Sequence, residues 1–373
     1  MKKNVIALAV AAAMVAPLAA QAEVKVSGQL QTEITSLSGD NVTDGLYMND
    51  AQEGGTPDKG NFGALNFTAS EDLGNGMKAI AKVGMNVWAA DHNAKGIKTR
   101  DAYIGLSGGF GTVMMGTMSS PYKMATVKWD PFLATSAQAR GNYGMSELHN
   151  GYVNNAIAYA NKFGMAKVVA AIVLDENADA FADPANSETT GNHAISFSVN
   201  APVGPVELAF GYHDASDYGV DSADPLNPVL SPSAQNDDFT AMKLGVKYAA
   251  GPISVAFQHE TLEVGKGVVD TTIEGDTTDI THMYLNATYT AGANTFAFAY
   301  GLMDEDENIK AVAPGTADPT PTYMSLGMVH GFSKKTSVHV AYVAMDTDVS
   351  CTALVTTGCG DDAGIAAGLR VKF

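Results

Sequence analysis

The sequence predicts an all-β protein, a transmembrane antiparallel β-barrel of 16 strands. Three observations lead there. Apolar residues recur at every second position almost throughout the chain, while helical periodicity is nearly absent. Two kinds of connector alternate between the segments, one short and glycine-rich, the other long and polar. Beyond the first 22 residues no apolar run reaches the roughly 18 residues a membrane helix needs, so a membrane crossing must be made by strands.

The first element is an export signal. Residues 1–22, MKKNVIALAVAAAMVAPLAAQA, carry Lys2 and Lys3, then an apolar stretch, then the small-x-small ending Ala20-Gln21-Ala22. Cleavage before Glu23 leaves residues 23–373 as one barrel domain and takes the formal net charge from -18 to -20, because two lysines are lost.

The strands after it each have one apolar face and one small or polar face. AISFSVN sets Ile195, Phe197 and Val199 against Ser196 and Ser198. MKLGVKY sets Met242, Leu244, Val246 and Tyr248 against Lys243 and Lys247. TFAFAYGL sets Phe296, Phe298, Tyr300 and Leu302 against Ala297 and Ala299. Seven short connectors, such as EDLGNGM, APVGP and TAGAN, alternate with eight long ones at about 37–60, 89–96, 117–150, 175–190, 214–238, 260–279, 303–320 and 346–362. Fifteen connectors make 16 strands, and an even number leaves both chain ends on the short-turn side, as in outer-membrane barrels. A β-sandwich also alternates, but nothing in it requires short turns always at one end.

The closing strand is AGIAAGLRVKF. Leu369, Val371 and Phe373 are expected to face lipid, and Arg370 and Lys372 the lumen. A basic side chain on the lipid face costs about 2–4 kcal/mol near the midplane. The two cysteines, Cys351 and Cys359, are expected to pair in the oxidising compartment an exported chain meets, closing a small loop for about 2–3 kcal/mol.

Charge is segregated. The seven long connectors other than the third hold about 32 of the 40 acids and about four lysines. A negative outer mouth concentrates cations over about 8–10 Å at physiological salt, so cation preference is expected. Several motifs fail on context. Gly105-Leu106-Ser107-Gly108-Gly109 fits G-x-S-x-G, but another strand comes next where a nucleophile elbow needs a helix. Asp304-Glu305-Asp306-Glu307 begins like a calcium loop, yet the sixth position is Ile309 and the twelfth Gly315. The eight histidines form no metal-ligand spacing, no cofactor is implied, and the acidic balance argues against nucleic acid.

The segments GALNFTASEDLGNGMKAIAKV and KTRDAYIGLSGGFGTVMMGTMSSPYK resemble the Gram-negative general diffusion porins, most strongly from about 60 to 160. The resemblance implies a homotrimer in the outer membrane, in contact with lipid and lipopolysaccharide. It implies passive diffusion of small hydrophilic solutes and no enzymatic step. It makes Phe373 a signal read by the barrel-assembly machinery. It also implies that the third loop, with SSPYK and WDPF, folds inward as a constriction. Lys82, Lys98 and Arg100 then stand on the wall, with Lys123, Asp130, Arg140 and Glu147 on the loop. Three positions where the family often carries arginine hold Ala64, Thr117 and Val153 instead. On the strand around Arg100, alternation places Arg100 and Ala102 in the lumen and Tyr103 on lipid. A sugar-selective channel is the alternative, with Tyr122, Trp129, Phe132 and Tyr143 as its stacking surface.

Overall fold

The computed structural model describes residues 23–40, 44–49, 63–87, 89, 99–149, 152–174, 193–215, 239–265, 277–305, 320–347 and 360–373. The export signal, Lys98 and both cysteines lie outside the described residues.

The strands are β1 (Glu23–Gly39), β2 (Gly45–Asn49), β3 (Gly63–Gly74), β4 (Met77–Val87), β5 (Thr99–Gly108), β6 (Gly111–Met118), β7 (Val153–Phe163), β8 (Ala166–Leu174) and β9 (His193–Val203). They continue as β10 (Val206–Asp214), β11 (Phe239–Ala250), β12 (Ile253–Gly265), β13 (Thr277–Ala291), β14 (Asn294–Glu305), β15 (Thr322–Gly331), β16 (Thr336–Asp346) and β17 (Asp361–Lys372). Every pairing is antiparallel between neighbours, and β17 returns to β1, with Gln29 opposite Lys372 and Gly39 opposite Asp362. Phe373 completes the seam: its N–H donates to the Gly28 carbonyl at 3.0 Å and its carbonyl accepts from Gly28 N–H at 3.2 Å. Closure leaves no strand edge unpaired in the membrane, where an unsatisfied backbone group is costly.

Seventeen segments make a barrel of 16 staves because β2 and β3 share one position. β2 pairs with β1 from Leu37 down to Glu33, and β3 takes over from Gln29 down to Glu23. The stretch 37–60, read from the sequence as one connector, therefore contains the end of β1 and all of β2. The signal was weak: GLYMN is too short to show alternation.

The seven short turns stand where the sequence puts them. Four of them contain Gly164, Gly204, Gly251 and Gly292 at φ of 58–62°, the left-handed region that glycine enters without strain. On the strands the two faces separate cleanly. Met242, Leu244 and Val246 are 44, 56 and 41% exposed, whereas Lys243 between them is 1% exposed. A continuous exposed apolar face on a closed barrel is the lipid-facing surface.

The alternation is broken beside the third connector, where Gly116 pairs with Ala156 and Met118 with Val153, and again beside the second, between β4 and β5. Val83 pairs with Ala102 and Met85 with Thr99, so Arg100 and Asp101 together oppose Gly84. A Cβ on Gly84 would lie 3.6 Å from Arg100 Cβ and 3.6 Å from Asp101 N. This bulge turns two successive side chains inward and shifts the parity of the rest of β5. Strict alternation misplaced Ala102 and Tyr103. Ile104 and Leu106 are exposed on the outer face, and Tyr103 packs against the cluster that includes Tyr122. Arg100 faces inward, because of the bulge rather than parity.

Candidate functional site

The third connector, between β6 and β7, is described over residues 119–149 and is mostly buried. It opens with a short helix, α1 (Pro121–Thr126). Ser120 Oγ caps it by accepting from Lys123 N at 3.1 Å, and Pro121 fits the first helical position, where no N–H is needed. Two 3-10 turns lie further along, Val127–Trp129 and Glu147–His149.

Three buried polar knots tie this segment to strands around the barrel. At the first, Glu260 of β12 accepts from Tyr122 Oη at 2.6 Å, Ser146 Oγ at 2.8 Å and Ser146 N at 3.1 Å. Lys243 of β11 lies 4.0 Å above the Tyr122 ring and 2.7 Å from His149 Nε2. His149 Nδ1 is 3.1 Å from Ser146 O, so the network assigns the proton to Nδ1 and leaves Nε2 to accept from Lys243. Burial, and then the Lys243 charge, holds the His149 imidazole down to a pKa of about 3.

At the second knot Glu33 of β1 accepts from Ser136 N at 3.0 Å, from Ser136 Oγ, and from Gln31 Nε2 at 3.2 Å, with His339 Nε2 of β16 at 2.7 Å. At the third, Asp130 accepts from Phe132 N at 2.9 Å, Ala139 N at 2.9 Å and Tyr284 Oη of β13 at 3.0 Å. Tyr323 and Ser325 of β15 both donate to Ala137 O. Ala134 and Tyr143 each adopt a φ of 64°, which strains a side-chain-bearing residue. The wall sits against both carbonyls, through Gln31 at Ala134 and His282 at Tyr143.

The wall is also cleared where the segment rests. A Cβ on Gly245 would sit 2.5 Å from the Trp129 ring, and one on Gly301 only 2.4 Å from Gly144 Cα. Gly301→Val therefore displaces the connector. Overpacking of this kind costs about 1–3 kcal/mol or more. Limited proteolysis of the folded barrel should cut between residues 130 and 149 in the variant and not in the parent.

Beside the segment is a cavity of about 580 Å³. Among the described residues its cationic lining is Arg100, Lys123, Lys128, Arg140, Arg370 and Lys372, and its one acid is Asp130, whose carboxylate is turned to its own backbone. Arg100 Nε donates to Tyr152 Oη at 2.7 Å, and Lys123 Nζ lies 4.4 Å from the Tyr152 ring centre. Arg140 donates to Gln138 Oε1 at 3.0 Å and to His149 O at 2.9 Å. Burial, and then the neighbouring Arg140 and Arg100, push the Lys123 ammonium well below the usual lysine range.

The residues expected at a constriction thus separate into groups. Arg100, Lys123, Asp130 and Arg140 meet at the cavity. Lys82 faces inward but pairs with Asp101 at 2.5 Å, and Asp101 also accepts from Ser119 N at 3.3 Å, so Lys82 braces the start of the connector. Glu147 falls in the second 3-10 turn, and its side chain, like all of Lys98, lies outside the described residues. Sequence reasoning placed Arg370 and Lys372 in the lumen without bringing them to this site, counted Lys128 among the loop charges without giving it a place at the constriction, and missed Glu33, Lys243 and Glu260 as anchors. Alternation marks a side chain as inward; it carries no signal for which strands face one another across the lumen.

A family model described as Gram-negative porin matches residues 7–350. The chain belongs to the Gram-negative porin family. It is an outer-membrane β-barrel protein of the Gram-negative type. The major outer membrane protein P.IB of Neisseria gonorrhoeae is 36% identical over 124 residues, 33% of this chain, and the match spans about a third of that relative, 34%. Outer membrane porin protein 32 of Delftia acidovorans is 27% identical over 347 residues, 91% of this chain and 88% of that one. Among solved structures, the anion-selective porin from Comamonas acidovorans superposes with a TM-score of 0.70 at 19% identity, covering 95% of this chain and 100% of that one. A trimer form of OmpT from Vibrio cholerae gives 0.62 at 13%, covering 94% and 99%. At these identities the structural matches establish the fold.

Proposed function

We propose that this porin is a water-filled channel for passive diffusion of small hydrophilic solutes, narrowed by its third connector and preferring anions at that constriction. The observation that carries the reading is the cavity beside the connector, where Arg100, Lys128, Arg140, Arg370 and Lys372, with Lys123 buried behind them, outnumber Asp130, the one acid among the described lining residues. Fixed charge at the narrowest place acts at the shortest distance, while charge in a wide mouth is screened within about 8–10 Å. The cation preference expected from the acidic connectors is accordingly not supported: it weighed the mouth and did not bring Arg370, Lys372 and Lys128 together beside the third connector. The anion selectivity stated for the Comamonas acidovorans structure agrees in sign.

The sugar-selective alternative loses most of its stacking surface, with Tyr143 left half-buried against the same clusters. Tyr122, Trp129 and Phe132 are buried, their rings packed between connector and wall. We take the assembly to be a trimer, as one structural neighbour is in one form.

Reversal potential in a planar bilayer under a tenfold potassium chloride gradient tests the reading. A potential on the anion side, with steps in groups of three, is the expected result. A potential on the cation side overturns the role given to the basic cluster, and folded protein without conductance overturns the channel.

A further inference from the structure

The seven short connectors are not alike. Six of them join their strands through two residues: Asn75-Gly76, Gly109-Phe110, Gly164-Met165, Gly204-Pro205, Gly251-Pro252 and Gly292-Ala293. The seventh, between β15 and β16, has four, Phe332-Ser333-Lys334-Lys335, and it alone carries a Lys or Arg. Two residues suffice to close a hairpin, so closure does not require the longer turn. The turn is tightly ordered all the same. Phe332 N and Ser333 N donate to Thr336 O at 2.9 and 3.2 Å, and Ser333 Oγ accepts from Lys335 N at 3.1 Å and Thr336 N at 3.0 Å.

It presents an aromatic ring and two cations at the rim of the barrel. Phe332 is 64% exposed, and its ring meets His330 edge-on, with centroids 4.9 Å apart and planes at 75°. His330 Nδ1 lies 2.7 Å from Asn294 Oδ1, which fixes that ring. His330 shares its parity with exposed Met324 and Leu326, whereas Tyr323 and Ser325 are buried, so this aromatic pair stands on the lipid side. Above it, Phe296, Met328 and Val340 form one cross-strand row on the same apolar face. Lys334 and Lys335 are exposed, and neither ammonium makes an ion pair or side-chain hydrogen bond with a described residue. The acids of these three strands, Asp304, Glu305 and Asp346, lie at their opposite ends. Lysines on strands turn inward instead: Lys25 stands between exposed Val24 and Val26, and Lys247 between exposed Val246 and Tyr248.

We propose that this turn binds an anionic phospholipid of the leaflet at the short-turn end of the barrel. The headgroup phosphate meets Lys334 and Lys335, and the acyl chains lie along the row of Phe296, Met328 and Val340. Phe332 and His330 sit between these levels, where aromatic side chains set depth at a membrane interface. Charge complementarity selects the headgroup. A lysine at the surface gains about fivefold in affinity from a net negative lipid, whereas a choline headgroup brings its own cation beside the phosphate. The apolar half of the site selects a lipid over a soluble phosphate, since exposed Phe332 and the row above it need hydrocarbon to cover them.

The test is native mass spectrometry of the folded barrel in non-ionic detergent, titrated with phosphatidylglycerol or with phosphatidylcholine of the same acyl chains. Phosphatidylglycerol should bind at least about tenfold tighter. The variant Lys334→Gln with Lys335→Gln should lower its binding by at least about tenfold and leave phosphatidylcholine unchanged. The backbone bonds of the turn run through Ser333 and Thr336, so this variant keeps the hairpin. Phe332→Ala should weaken both lipids. Lys25→Gln with Lys247→Gln, which removes as much charge from the lumen, should change neither. Equal binding of the two lipids overturns the proposal, as does a preference that survives loss of Lys334 and Lys335. A preference lost equally in the lumen variant overturns it too, because net charge rather than this turn would then be its origin. Displacement of the lipid by soluble glycerophosphoglycerol at equal concentration overturns the role given to the apolar half.

Discussion

Charge reversal at two lumen positions, Arg100→Glu with Lys128→Glu, should invert the ion preference of the channel. Both side chains line the cavity beside the third connector, and Lys128 is exposed to it. Two reversals change the local charge by four units. At about 8 Å in water each unit acts on a passing ion with about 0.5 kcal/mol, and screening over about one Debye length cuts the four-unit total from about 2 to about 0.7 kcal/mol, against an anion and in favour of a cation, so the anion-to-cation permeability ratio should fall roughly tenfold. Reversal potential reads it directly. The barrel should fold normally, because neither residue belongs to the three knots that hold the connector. A ratio unchanged within about twofold would remove both residues from the permeation path.

Cutting the Glu260 knot should release the connector while leaving the barrel standing. Glu260→Ala removes the acceptor shared by Tyr122 and Ser146 and takes the carboxylate from the position directly across the strands from buried Lys243. Stripping one partner from a buried pair costs about 3–5 kcal/mol. The strand ladders on either side of β12 do not depend on that carboxylate, so the strain falls on residues 121–149. Conductance should rise, and proteases should cut within 121–149 of protein that still migrates as a folded barrel. The double variant Glu260→Gln with Lys243→Met removes both charges and should restore the closed pattern in large part. A Glu260→Ala protein with parent conductance and a protected connector would exclude the knot as an anchor.

Acid should act on the same knot. The anchored His149 titrates at about 3, whereas a released histidine titrates near 6.5. A released connector therefore binds the proton more tightly. The anchored state is fully stable above about pH 6.5 and loses stability as pH falls toward 3, by up to several kcal/mol. Conductance at pH 4 should approach that of Glu260→Ala at pH 7.

The features legible in the residues came from periods and from composition. Period-two alternation, seven glycine-bearing turns and a terminal aromatic strand prescribe a barrel, because only a closed sheet can present an apolar outer face and satisfy its backbone in lipid. The inward direction of Arg370 and Lys372 was legible for the same reason. Alternation failed at Arg100 and Asp101, where one glycine faces two residues, since a bulge has no signature in side-chain chemistry. It failed for 45–49 because five residues are too few to show a period.

Order along the chain prescribes the architecture, the sidedness of the connectors and the acidic surplus of the long ones, since all three depend on near neighbours. It took the closed barrel to bring Arg100, Lys128, Arg140 and Arg370 to one cavity, to spend Asp130 on its own backbone, and to set Glu33, Lys243 and Glu260 as the anchors of the connector. The four cationic residues of the cavity are up to 270 positions apart, as Arg100 and Arg370 are, and their meeting is set by barrel closure and by a buried loop. Electrostatic preference depends on distance across the lumen, and distance across a lumen is a property of the folded chain alone.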